Sequence, residues 1–144
     1  MTELDTSARA KRPEFRNINA LSDLPSYRLP LAGLVSILHR ISGALMFLLL
    51  PFIIWMFDMS VSSEISFARF AGAFGGSGGW FLKLVALALI WAYLHHLIAG
   101  LRHLRMDMSH AAVSKESGRR SAAATLVLSI ALTLILGAKL FGLY

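Results

Sequence analysis

The sequence predicts an all-α integral membrane protein with three transmembrane helices, and three observations carry that prediction. Apolar runs of spanning length recur three times within 144 residues. Each meets the requirement of about 20 apolar residues for a hydrocarbon core about 30 Å thick. Hydrophobic residues make up 56% of the chain, and the mean hydropathy is +0.64. The basic residues are also segregated: residues 1–40 hold six Lys/Arg and residues 102–120 hold five. The connection between the first two runs is nearly balanced, with Asp58 and Glu64 against Arg69 and Lys83. Positive-inside bias then predicts a cytoplasmic (or matrix) N-terminus and second connection, with the C-terminus outside. The net charge of +6 is an orientation and lipid-contact signal on this reading, and no nucleic-acid partner is expected.

Taken in order, residues 1–30 are polar and read as a cytoplasmic tail and surface segment, with Pro25 and Pro30 as helix punctuation. They contain no apolar signal-peptide core, so the first span is expected to act as its own insertion signal. Residues 31–144 form the anchor domain, with helices expected at about 31–57, 80–106 and 120–143. Pro51 is expected to kink the first of these. The connection from Asp58 to Gly79 contains AGAFGGSGG. It lacks the Lys-Ser/Thr of a phosphate-binding loop and reads as a flexible linker. The link from Met108 to Arg120 is short and polar, which makes the second and third helices antiparallel neighbours. Lys139 is placed to snorkel at the outer interface. His110 reads as exposed, and Trp55, Trp80, Trp91 and Tyr93 read as belt or packing aromatics.

The absence of cysteine excludes a disulfide framework, a thiolate zinc site, an iron–sulfur cluster held by this chain and covalent haem attachment. Any haem must be non-covalent and held through histidine. The run HLIAGLRHLRMD ends the second span, and His96, Gly100, His103 and Asp107 share one helical face. An ionisable residue inside a span is expensive and therefore a functional candidate. Gly100 is expected to remove bulk beside His96, so that a flat macrocycle can approach. Near the start of the first span, Ser36, His39 and Arg40 form a second polar group at the same membrane side as Arg102 and His103. His96, seven residues before His103, lies about 10 Å deeper. One deep histidine and a shallower belt of His and Arg suit a haem with its propionates toward the surface, beside a niche for a quinone headgroup.

Spacing alone leaves structural alternatives open. His96 could be a helix–helix hydrogen bonder, Arg40 an interfacial anchor, and Ser36 a backbone hydrogen bonder. Arg102 and His103 could be interfacial charges, and Asp107 could pair with Arg102 or Arg105. His95 points about 100° away from His96, toward a partner subunit or lipid. The residues themselves do not choose between His95 and His96 as a ligand.

Two motifs settle on a family. His96, Arg102-His103 and Asp107 form one, and Ser36-Ile37-Leu38-His39-Arg40-Ile41-Ser42-Gly43, preceded by Arg12-Pro13, forms the other. Over nearly its whole length the chain resembles the cytochrome b subunit family of succinate dehydrogenase, the large membrane anchor of respiratory complex II. The resemblance implies that His96 is an axial ligand of a haem b, and hence binds its iron. The second axial histidine comes from a small partner anchor subunit. It also places Ser36 and Arg40 at ubiquinone, and His39 and Arg40 at the haem propionates, with His103 a secondary candidate there. Arg102 and Asp107 are assigned to the entrance of the quinone site. Iron–sulfur and flavoprotein subunits are implied as further partners, because this chain is not catalytic alone. The expected location is the bacterial inner membrane, or the mitochondrial inner membrane. The sequence departs from the family pattern in its doubled His95-His96 and in a looser stretch between Pro13 and Tyr27. The competing readings are a self-contained bis-histidine cytochrome using His39 or another histidine as second ligand, a haem-free scaffold, and the anchor of a fumarate reductase.

Overall fold

The computed structural model describes residues 19, 21–23 and 26–144. The Arg12-Pro13 motif, Pro25 and the N-terminal basic residues before Arg28 lie outside these. The described residues are helical with no strand: α1 (Leu31–Leu48), α2 (Leu50–Val61), α3 (Glu64–Gly75), α4 (Gly79–Met108), a single 3-10 turn (His110–Val113) and α5 (Lys115–Leu140). Helices α1, α4 and α5 are each long and apolar enough to cross a membrane.

The first span is interrupted at Leu49, beside the Pro51 expected to kink it. α1 ends at Leu48, and α2 begins at Leu50 with Pro51 in its first turn. Proline has no N–H to give and its ring collides with the preceding turn, so the helix stops and restarts around Leu49. The glycine-rich connection also departs from its reading as a linker. Most of it is α3, started by a reciprocal cap in which Ser63 Oγ accepts from the Ser66 amide and Ser66 Oγ accepts from the Ser63 amide. Such a cap satisfies orphan donors of the first turn. Phe67, Phe70 and Phe74 then stack along the helix. Only Gly76–Gly78 remain between α3 and α4.

α4 is the central member, packed against both α1 and α5, while α1 also touches α5. At 30 residues it is about 45 Å long. α4 and α5 run antiparallel, as the short link predicts. The Lys83 ammonium lies 5.8 Å from the centre of the Phe141 ring at one end. At the other end the Arg102 guanidinium bonds Ser121.

Small side chains make the seams. Val35, Ala99 and Ala122, one from each spanning helix, are fully buried together. The buried face of α5 reads Gly118, Ala122, Thr125, Ser129 and Gly137. In lipid there is little hydrophobic drive between helices, so close backbone approach and packing must supply the attraction. Large apolar side chains such as Phe47, Leu97, Leu101, Val127 and Leu134 point outward instead. Hydroxyls in the spans return to their own helix: Thr125 donates to the Ser121 carbonyl and Thr133 to that of Ser129. No polar group of these residues is then presented to hydrocarbon.

Replacing Ala99 with Leu is expected to force α1 and α5 away from α4, at about 1–3 kcal/mol. The check is a lower thermal unfolding midpoint in mild detergent, whereas Leu97→Ala on the exposed face of the same helix leaves the midpoint nearly unchanged.

Candidate functional site

The two adjacent histidines of α4 take opposite fates. His95 turns into the bundle and is 1% exposed. Its Nδ1 lies 3.3 Å from Ser129 Oγ on α5, its ring stacks on Trp91, and its Nε2 is buried without a hydrogen-bond partner among the described residues. The expectation that His95 meets lipid or a partner is therefore corrected. A residue about 100° round the helix from His96 falls between α4 and α5, because α5 packs on that side.

His96 faces α1 instead and is half-buried. Its Nδ1 is 3.1 Å from the His39 carbonyl oxygen. A carbonyl only accepts, so this contact requires the proton on Nδ1. Ser42 Oγ donates to the same carbonyl at 2.8 Å and lies 3.2 Å from Nδ1, so its lone pair shares that proton. With Nδ1 protonated in the neutral ring, Nε2 carries a lone pair. It makes no hydrogen bond with the described residues and, unlike the same atom of His39 and His95, is not buried. Carbonyl on one nitrogen and a free lone pair on the other is how metal-ligating histidines are held.

The glycine packed against the His96 ring is Gly43, on α1. A Cβ at position 43 would stand 3.0 Å from His96 Cε1. A Cβ at position 100 would lie 3.9 Å from His39 Nε2, with no His96 atom in reach. The side-chain stripe of α4 pointed toward Gly100. The fitted neighbour comes from α1, where spacing within α4 says nothing.

His39 stacks on His96 with ring centres 4.1 Å apart and planes at 27°. On its other side is His103, at 5.3 Å. Three imidazoles thus line the α1–α4 seam in the order His96, His39, His103, and His39 Nε2 is buried without a hydrogen-bond partner among the described residues. Ser36 is half-buried and Arg40 exposed, both on α1 with His39, and neither makes a side-chain hydrogen bond with the described residues. Their exposure leaves them open to a ligand or partner at that end of the seam.

Arg102 does not join this group. It is buried against α5, with Nε 3.0 Å from Ser121 Oγ and Nη2 3.4 Å from the Gly118 carbonyl. Asp107 is exposed and pairs with neither Arg102 nor Arg105; among the described residues the ion pair is the exposed Glu116–Arg120. His110 is exposed, as read. The contributions missed from sequence are Ser42, Gly43 and Ser129. The first two stand within the Ile41-Ser42-Gly43 of the α1 motif, and Ser42, three residues after His39, shares its face.

The arrangement can supply one neutral nitrogen ligand to a centre lying against the seam. The stacked His39 and His96 rings leave no room for such a centre between them.

The family model described as succinate dehydrogenase/fumarate reductase transmembrane subunit matches residues 14–136. The chain is 34% identical over 128 residues to the succinate dehydrogenase cytochrome b556 subunit of Coxiella burnetii, covering 89% of this chain and 95% of that one. It is 32% identical over 112 residues to the cytochrome b556 subunit of Paracoccus denitrificans, covering 78% and 83%. With the cytochrome b560 subunit of Reclinomonas americana it shares 32% over 90 residues, covering 61% and 62%.

In the detergent-solubilised chain labelled with nitrogen-15 at histidine, His96 is expected to show the Nδ1-protonated neutral form. Ser42→Ala keeps that form, because the His39 carbonyl remains, at a cost of about 1 kcal/mol in stability. An Nε2-protonated His96 in the wild-type spectrum contradicts the hydrogen bonding described.

Proposed function

The chain belongs to the succinate dehydrogenase/fumarate reductase transmembrane-subunit family, and from that membership we propose how it serves as the cytochrome b anchor of a succinate dehydrogenase. It sits in the inner membrane with its N-terminus and the α4–α5 link on the cytoplasmic side. There it holds half of a haem b and part of a ubiquinone site, and docks the small anchor and iron–sulfur subunits, the latter carrying the flavoprotein. The observation that carries this reading is the His96 imidazole, with Nδ1–H fixed on the His39 carbonyl and Nε2 left open.

The residues present fit a haem. Gly43 leaves room for the His96 ring against α1, and that ring's free nitrogen is the donor that iron requires. His96 would hold the haem iron through Nε2, and the small anchor subunit would supply a second ligand, since His39 is stacked on His96. Haem b, when bound, takes and gives single electrons at a potential set by its ligands and surroundings. Donation from Nδ1–H to a carbonyl raises the basicity of Nε2 and fixes the ring's orientation. His39, His103 and Arg40 stand on the shallow side, where a guanidinium holds a propionate through paired hydrogen bonds.

Ubiquinone reduction consumes two electrons and two protons. The Ser36 hydroxyl donates a hydrogen bond to a quinone carbonyl, and Arg40 stabilises the negative charge that gathers on that oxygen as electrons arrive. Arg40 keeps its own proton throughout, so its role is electrostatic. The electrons come from cofactors on other subunits, because this chain has no cysteine to hold them.

In the purified complex, His96→Ala is expected to abolish or strongly alter the reduced-minus-oxidised b-type spectrum. His95→Ala is expected to keep the spectrum while lowering thermal stability. A wild-type b spectrum indifferent to His96→Ala overturns the ligand assignment, and no b spectrum in the wild type points to a haem-free scaffold. Arg40→Gln is expected to lower kcat/KM for succinate-driven quinone reduction about tenfold or more, the scale of a lost charge-assisted hydrogen bond of about 1.5–3 kcal/mol. Unaltered quinone kinetics in Arg40→Gln remove Arg40 from the quinone site.

A further inference from the structure

A cavity of about 420 Å³ lies where the start of α1, the end of α4 and the start of α5 meet. Arg102, Lys115 and Arg119 line it, together with the apolar side chains of Leu31, Met106 and Val113, and no acidic residue does. It is separate from the histidine seam. Arg102 faces α5 while His103, the next residue, packs tilted against His39.

The buried guanidinium is what needs explaining. Arg102 is 7% exposed. Its bonds to Ser121 and the Gly118 carbonyl engage two of its five N–H donors, and neither partner carries charge. A charge held out of water is unfavourable unless paired. No carboxylate among the described residues pairs with it, and nearby Glu116 is spent on Arg120. Lys115 and Arg119 then add two further cations to the cavity instead of neutralising it.

We propose that this cavity binds the phosphate of an anionic phospholipid, with the head held by Arg102, Lys115 and Arg119. An acyl chain would lie along Leu31, Met106 and Val113. A phosphate group supplies the missing counter-charge and accepts the forked hydrogen bonds that a guanidinium offers. Free phosphate shares that chemistry, but the apolar wall and the position at the end of three spans favour a lipid. A zwitterionic lipid brings its own cation and gains less.

The test uses the intact membrane complex, stripped of lipid in neutral detergent. It is titrated by calorimetry with short-chain phosphatidylglycerol, phosphatidylcholine of the same chain length, and inorganic phosphate. Phosphatidylglycerol is expected to bind at one saturable site, with phosphatidylcholine and inorganic phosphate much weaker. The double variant K115Q/R119Q, altered only at exposed side chains, is expected to weaken that binding about thirtyfold, each interfacial cation contributing about fivefold. Arg105→Gln, a cation on α4 outside the cavity, leaves it unchanged. Inorganic phosphate binding as tightly as phosphatidylglycerol keeps the anion site and overturns the lipid as its occupant. Binding that K115Q/R119Q does not weaken, or that R105Q weakens as much, overturns the site in favour of diffuse surface charge. None of these readouts depends on haem or quinone, so failure here leaves the reading of His96 standing.

Discussion

The hydrogen bond from His96 Nδ1 to the His39 carbonyl joins the backbone of one spanning helix to a side chain of the next. It forms only because α1 and α4 approach closely, and they approach closely because Gly43 and Ser42 present almost no bulk at the crossing. The bond fixes which nitrogen carries the proton and which way the ring faces. In water, competition with solvent would leave such a bond with little hold on the tautomer. Inside a span the competing donors and acceptors are absent, so a single carbonyl can decide the protonation pattern of a ring.

The same scarcity of partners shapes the rest of the bundle. Interhelical hydrogen bonds in membranes average only about 0.6 kcal/mol, because an alternative partner is usually found in the unfolded chain as well. The His95–Ser129 contact and the Arg102 bonds to α5 are therefore better understood as fixing register than as holding the helices together. Cohesion comes from the small-residue seams around Val35, Ala99 and Ala122. Polar contacts at both ends of α5, with Arg102 at one and the Lys83–Phe141 contact at the other, then prevent it from sliding along α4.

The three spans and their order were legible because hydrophobic length is a strong and local signal. The break at Leu49 was half legible. Pro51 marked the place, but whether a proline bends a helix or interrupts it depends on packing against neighbours. α3 was hidden by composition. Its glycines suggested a linker, while the Ser63/Ser66 cap that starts it was a weaker pattern, read past. At the site, the motifs gave His39, His96 and His103, and the structure brings those three together. Ser42 and Gly43 escaped because their importance lies in what α4 places against them, and periodicity describes one helix at a time. The packing of Arg102 against α5 was hidden for the converse reason. Its sequence neighbour His103 faces the seam, but one residue along a helix is a turn of about 100°, enough to point a side chain at α5.

The length of α4 sets a further condition. Even at a tilt of about 40°, near the upper end for membrane helices, a rod of about 45 Å covers about 34 Å of depth, more than the hydrocarbon provides. Some of α4 must extend past the hydrocarbon, as a post standing in the headgroup layer. Thickening or thinning the surrounding membrane would slide that post in or out by a few ångströms, carrying Arg102, His103 and Arg105 with it. The chain thus has a built-in preference for a bilayer of particular thickness, through the height at which it offers its charged end to the aqueous phase.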